Sequence, residues 1–217
     1  MTVNKVRGSS KYKRKQHAVR QITIFKALEK QVYTNLAQRY HSDPALGETL
    51  WRELEESYSE PHRYYHTLAH LDFLLAQLIE VKLEIEDWDT LLFSVFYHDI
   101  VYDTKGNTNE EQSAELAAER LKQIGFPEEK IKKCHSQILA TKGHTVTHDK
   151  DTDLFTDADL SILGQDHETY TEYAKQIRAE YAQYPDEAYT AGRKKVLEHF
   201  LKMKRIYKSE HFFSKFE

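Results

Sequence analysis

The sequence predicts an all-α protein, and three observations carry that prediction. Apolar side chains recur at helical intervals along nearly the whole chain. No segment alternates with period two for long enough to make a strand. Only seven glycines and four prolines punctuate 217 residues, which favours long helices over many strands and tight turns.

Nine helical segments follow from the pattern, in line with a bundle of roughly eight to nine helices. Ile24, Leu28, Val32 and Leu36 fall at four-residue intervals, as do Leu46, Leu50, Leu54 and Tyr58. The second set follows Asp43-Pro44, a cap and a proline suited to the first helical position. A third helix runs from about Tyr65 to Glu80 and a fourth from about Trp88 to His98, both rich enough in Leu and Phe to be central. Thr108 with Glu111 reads as a capping box for a fifth helix that stops at Gly125. Pro127 opens a sixth, reaching about Thr141, and the polar stretch from His144 to Asp151 is a loop. A short helix from about Asp153 to Leu163 ends at Gly164, and Pro185 separates two long final helices, Asp166 to Tyr184 and Asp186 to Tyr207.

Residues 1–20 contain seven basic residues and no acid, although the whole chain carries a net charge of −4. The basic character is therefore confined to a tail, expected to be flexible or loosely docked, ahead of a single domain over 21–217. A nucleic-acid-binding domain spreads its basic residues over a folded face, so no nucleic-acid partner is expected. The longest apolar runs, Leu91 to Phe93 and Val95 to Tyr97, fall far short of the roughly 20 residues that span a bilayer. No membrane segment and no secretory signal are expected. Cys134 is the single cysteine, which suits a reducing cytoplasm, and its helical neighbours Ile131 and Ile138 make it a core thiol.

The chemistry-bearing residues lie in three places. Two His-Asp dipeptides occur, about as many as chance allows, so context must separate them. His148-Asp149 sits among polar residues and reads as a solvated turn. His98-Asp99 ends the apolar run from Leu91, where a carboxylate is costly to bury unless it meets a cation or donors. His66 and His70 are four apart in Pro61-His-Arg-Tyr-Tyr-His-Thr-Leu-Ala-His70, one face of a helix, with Arg63 beside them. Asp157 and Asp159 share a short apolar helix. Two imidazoles and two carboxylates on apolar helices suit a divalent transition metal such as Mn, Fe, Co, Ni or Zn better than calcium.

In this order, His, then His-Asp, then Asp, the chain resembles the HD superfamily of metal-dependent phosphohydrolases. The closer likeness is to a bacterial branch described as predicted HD phosphohydrolases. It shows in the segment 61–70, in Tyr97-His-Asp-Ile-Val-Tyr-Asp103, in Asn109-Glu-Glu-Gln-Ser-Ala114, in Ile138-Leu-Ala-Thr-Lys-Gly-His144 and in Asp157-Ala-Asp-Leu160. Further likenesses are Ile177-Arg-Ala-Glu-Tyr181 and Arg193-Lys-Lys-Val-Leu197, so that roughly residues 20–207 are covered.

The resemblance implies an HD-type helical bundle with one or two metal ions. The ligands it implies are His70, His98, Asp99 and Asp159, with His66, His144 and Asp157 as competitors. Cyclic-nucleotide phosphodiesterases share the Tyr-His-x-x-x-His pattern, which implies proton donation by His66. An activated water would attack phosphorus, oriented by Asp99, with Arg63 holding the phosphate and Glu110 assisting. Tyr102, Asp103 and Thr141 are expected to line the substrate pocket with Arg63. The expected partner is a small phosphorylated molecule, a phosphomonoester or phosphodiester, nucleotides among the candidates. Two alternatives belong to the same frame: a non-catalytic nucleotide-sensing or scaffold module, and a di-iron oxygenase like myo-inositol oxygenase.

Overall fold

The computed structural model describes residues 29–217, and among these ten α-helices follow one another without a strand. They are α1 (29–38), α2 (Pro44–Ser57), α3 (Leu68–Glu80), α4 (Trp88–Tyr97), α5 (Asn109–Gln123), α6 (Glu128–Ala140), α7 (Lys150–Leu160), α8 (His167–Glu180), α9 (Asp186–Leu201) and α10 (Glu210–Phe216). The basic tail and the start of the first predicted helix lie outside the described residues. Among those described, no helix is long and apolar enough to cross a membrane.

Helix α4 is the axis of the fold, because its apolar residues are not confined to one stripe. Every residue from Thr90 to Tyr97 is buried, and α3, α5, α6 and α7 pack around it. The two polar residues in this run are satisfied locally. Ser94 donates to the Thr90 carbonyl and to Gln137 of α6, and Thr90 bonds Asp87 at the helix start. Tyr33 and Tyr97 share a buried hydrogen bond of 2.6 Å, which fastens α1 to the axis. Cys134 is buried against this core, and burial pushes its thiol up to about 12, so it is no nucleophile.

Several boundaries differ from the sequence expectation, some for a long-range reason and one through a local cap. Helix α3 starts at Leu68 rather than Tyr65, because the N–H groups of Tyr64, Tyr65 and His66 all donate to Glu180, which holds them outside the helix. The ninth predicted helix stops at Leu201, and a separate α10 follows, so the count exceeds the eight or nine expected. Between them the Lys208 and Ser209 N–H groups donate to the buried Asp157 carboxylate, which ties down the turn. Helix α7 begins early at Lys150, since Asp149 accepts from the Thr152 N–H as its cap. Thr108 makes no capping bond to the backbone, and Glu111 pairs with Lys142 instead of closing a capping box. The Asp43-Pro44 cap forms as expected, and Gly125 ends α5 with a φ of +74°.

Candidate metal centre

The C-terminal end of α4 carries the site, and its shape follows from how the last carbonyls are satisfied. A helix end leaves four carbonyls without intrahelical partners. Here the Val95 carbonyl meets His98 Nδ1 at 2.8 Å, and Tyr58 donates its hydroxyl to the Phe96 carbonyl at 3.1 Å. Ile100 N–H bonds the Tyr97 carbonyl, and the Arg63 guanidinium donates to the carbonyls of Asp99 (2.6 Å) and Ile100 (2.8 Å). The chain therefore turns sharply after Tyr97 and presents His98 and Asp99 on the same side.

A carbonyl can only accept, so Nδ1 of His98 carries the proton, and in the neutral imidazole it is Nε2 that holds the lone pair a metal would take. That Nε2 lies 3.2 Å from His70 Nε2 and 3.0 Å from Asp99 Oδ2. Asp159 Oδ1, from α7, stands 3.2 Å from His70 Nε2 and 3.8 Å from His98 Nε2. His70 Nε2 and Asp99 Oδ2 are 3.7 Å apart. Donor atoms bound to one first-row ion at about 2.0–2.2 Å lie roughly 3–3.5 Å from one another. Three of the separations, 3.0, 3.2 and 3.2 Å, fit that requirement, and the other two, 3.7 and 3.8 Å, exceed it by a few tenths of an ångström. His70, His98 and Asp159 form a mainly buried group that could hold a metal ion, and Asp99 flanks it.

The electrostatics of the group favour a cation. Burial opposes charge on His98, yet the Asp99 and Asp159 carboxylates raise it to about 9. Burial likewise opposes ionisation of Asp159, but His70, His98 and His144 hold it at about 2, and the surrounding imidazoles hold Asp99 lower still. His70 differs from His98 in that its Nδ1 is buried without a hydrogen-bond partner among the described residues. Its ring is positioned by packing against Tyr65, centroids 4.8 Å apart.

No protein-family model, curated protein or solved structure matches this chain.

Beside His70, His98 and Asp159 opens a cavity of about 640 Å³, lined by Asp99, Asp159, His66, Tyr102, Glu110, Thr141 and His144 among others. His66 is not on α3 with His70, so the two do not share a helix face as the spacing implied. It sits just before the helix, its Nδ1 2.7 Å from Glu180 Oε2 and its Nε2 4.0 Å from Asp99 Oδ2. Burial works against the charged form of His66, but Asp99 and Glu180 outweigh it and raise the group. Tyr102 covers the imidazole at a ring distance of 4.2 Å and donates its hydroxyl to Glu180 Oε2. His144, at a φ of 49°, brings Nε2 within 3.6 Å of Asp159 Oδ2. Glu110 faces the cavity from the first turn of α5, 3.8 Å from Lys142 Nζ.

Three expected site residues are placed elsewhere. Arg63 does not line the cavity: its side chain is buried between Tyr58 and Tyr102, and its donors go to Glu60 and to backbone carbonyls. It shapes the His98–Asp99 turn and has no free fork for a phosphate. Asp157 points the opposite way from Asp159, its carboxylate filled by the Lys208 and Ser209 N–H groups and by Lys208 Nζ. Asp103 is exposed and caps a turn through the Lys105 N–H. The residue that sequence reasoning missed is Glu180. It lies in the Ile177-Arg-Ala-Glu-Tyr181 segment, where an acid ending a helix carries no local sign of a partner 114 positions away.

Proposed function

We propose that the chain is a metal-dependent phosphohydrolase of the HD type, acting on a small phosphomonoester or phosphodiester. The observation that carries the reading is the convergence of His70, His98 and Asp159, with Asp99 Oδ2 beside them 3.0 Å from His98 Nε2, at the edge of a cavity that His66 also lines. Two nitrogens and two carboxylate oxygens suit a borderline divalent ion. Such an ion supplies Lewis acidity, polarising a phosphoryl oxygen and bringing the pKa of water down toward ~7.

The remaining roles fall to the chain's own groups. Asp99 borders both the ligand group and the cavity, where its carboxylate can orient a water toward phosphorus. Glu180 accepts from Nδ1 of His66, which leaves Nε2 as the nitrogen available to hand a proton to the leaving oxygen. Glu180 and Tyr102 hold that ring in place, and Arg63 holds the Asp99 backbone.

Elemental analysis of the purified protein with a phosphate-release screen over monoesters, diesters and nucleotides tests the reading. Alanine at His98 is expected to abolish both bound metal and turnover, whereas alanine at His66 keeps the metal and loses turnover. Phosphate release retained by the His98 variant overturns the proposal, and iron-dependent oxygen uptake without phosphate release redirects it to oxygen chemistry.

A further inference from the structure

The cavity beside the metal group has four basic side chains in its lining, and three of them are committed to carboxylates. His66 is bound to Glu180, His144 faces Asp159, and Lys142 reaches Glu111 at 2.5 Å and the Asn107 carbonyl. The fourth is Arg193, and among the described residues no carboxylate lies within ion-pair distance of it. Its guanidinium donates to the Tyr173 hydroxyl at 2.8 Å and lies over the same ring at 5.1 Å. The polar groups it interacts with include the hydroxyls of Tyr173 and Tyr170 rather than a carboxylate. A half-buried guanidinium with a side-chain hydrogen bond to a hydroxyl and no ion pair among the described residues keeps donors to offer a ligand.

Its position relative to the metal group is set by two tyrosines. Tyr65 packs on His70, Tyr173 packs on Tyr65 at 4.6 Å, and Arg193 lies on Tyr173. Arg193 and the Asp99–Asp159 edge therefore belong to one cavity, separated by an aromatic wall that Tyr181, Tyr184 and Tyr189 extend. Arg193 stands on α9, none of whose residues is buried, so packing of that helix does not require the charge to point inward.

We propose that Arg193 binds a second anionic group of the substrate, beyond Tyr173, so that the substrate class is a phosphoester carrying two anionic groups. The assignment rests on the phosphohydrolase reading for which phosphate is cleaved, but the binding of the distal anion does not depend on turnover. Guanidinium pairs phosphate through two parallel N–H bonds, which a lysine cannot reproduce.

The test measures binding, with linear α,ω-alkane bisphosphonates of graded length compared by calorimetry with alkyl monophosphonates of matched length. These probes are not hydrolysed, so a protein that fails to release phosphate from any ester discredits the proposed reaction and leaves this measurement intact. The wild-type protein is expected to bind the best-fitting bisphosphonate about tenfold or more tightly than its monophosphonate partner. In Arg193→Gln that advantage is expected to vanish while monophosphonate affinity stays within about twofold, and Arg193→Lys is expected to keep only part of it. No advantage at any length, or one that survives undiminished in R193Q, overturns the assignment. If R193Q does not fold, R193K decides, and an advantage equal to the wild type's overturns it.

Discussion

Glu180 Oε2 lies 2.7 Å from His66 Nδ1, while Oε1 of the same carboxylate accepts the backbone N–H groups of Tyr64, Tyr65 and His66. One side chain at the end of α8 thus fixes both the conformation of the segment ahead of α3 and the orientation of the imidazole that faces Asp99. Burial would raise this acid, but hydrogen bonds from His66 and the backbone hold it at about 2 against an ordinary value of 4.5. A depressed carboxylate contributes stability that is present above about pH 4.5 and is lost as pH falls toward 2. His66 is raised by its partners, so its contribution is present below 6.5 and is lost as pH rises through the folded value.

Glu180→Gln is therefore expected to flatten the acid limb of stability between about pH 4.5 and 2, and to lower turnover more than metal content. Chemical denaturation across pH, with metal analysis of the same samples, checks both. An unchanged acid limb would remove Glu180 from the list of groups that set it.

Arg63 offers a second, independent handle. Its donors satisfy the carbonyls of Asp99 and Ile100, and lysine cannot reach both with fixed geometry. Arg63→Lys is expected to cost about 2–4 kcal/mol of stability, since buried acceptors lose charge-assisted partners. Weaker metal retention should accompany it, because the displaced turn carries His98 and Asp99. Urea denaturation measures the first and metal titration the second. If stability is kept while affinity for phosphate falls, Arg63 is a phosphate ligand after all.

Asp157 and Asp159 are separated by one residue and are expected to fail differently. Asp157 and Lys208 form an almost fully buried ion pair, and the carboxylate also holds the turn between α9 and α10. Removing one partner of a buried pair costs about 3–5 kcal/mol, so Asp157→Ala is expected to lower the melting temperature sharply. Asp159→Asn is expected to leave folding largely intact and to lose metal. The pattern reversed, with metal lost only at 157, would exchange their roles.

Gly164 closes the short turn after α7, and α10 lies directly on it. A Cβ built there would sit 2.5 Å from the Phe216 Cβ and 2.7 Å from its carbonyl oxygen. Backbone cannot yield as a flexible side chain does, so Gly164→Ala is expected to cost about 1–3 kcal/mol. Faster proteolysis after α9 should follow as α10 lifts, and limited digestion with mass spectrometry reads it. A variant as stable as wild type would mean that α10 shifts without cost.

The sequence by itself determined what local periodicity and local context encode. The all-helical architecture follows from apolar spacing, and the Asp43-Pro44 cap and the Gly125 stop formed where their residue types put them. His98-Asp99 stood out from His148-Asp149 because a carboxylate after an apolar run must be compensated. What only tertiary structure decided are the interactions that cross the chain. Glu180 unwinds the start of α3 and separates His66 from the helix of His70. The last predicted helix stops early at Leu201, Asp157 ties down the turn that leads into α10, and Arg63 turns inward while Arg193 faces the cavity. Glu180, Asp157 and Arg63 are buried charged side chains with partners remote in sequence, and burial makes those partners mandatory without leaving any mark in the neighbouring residues.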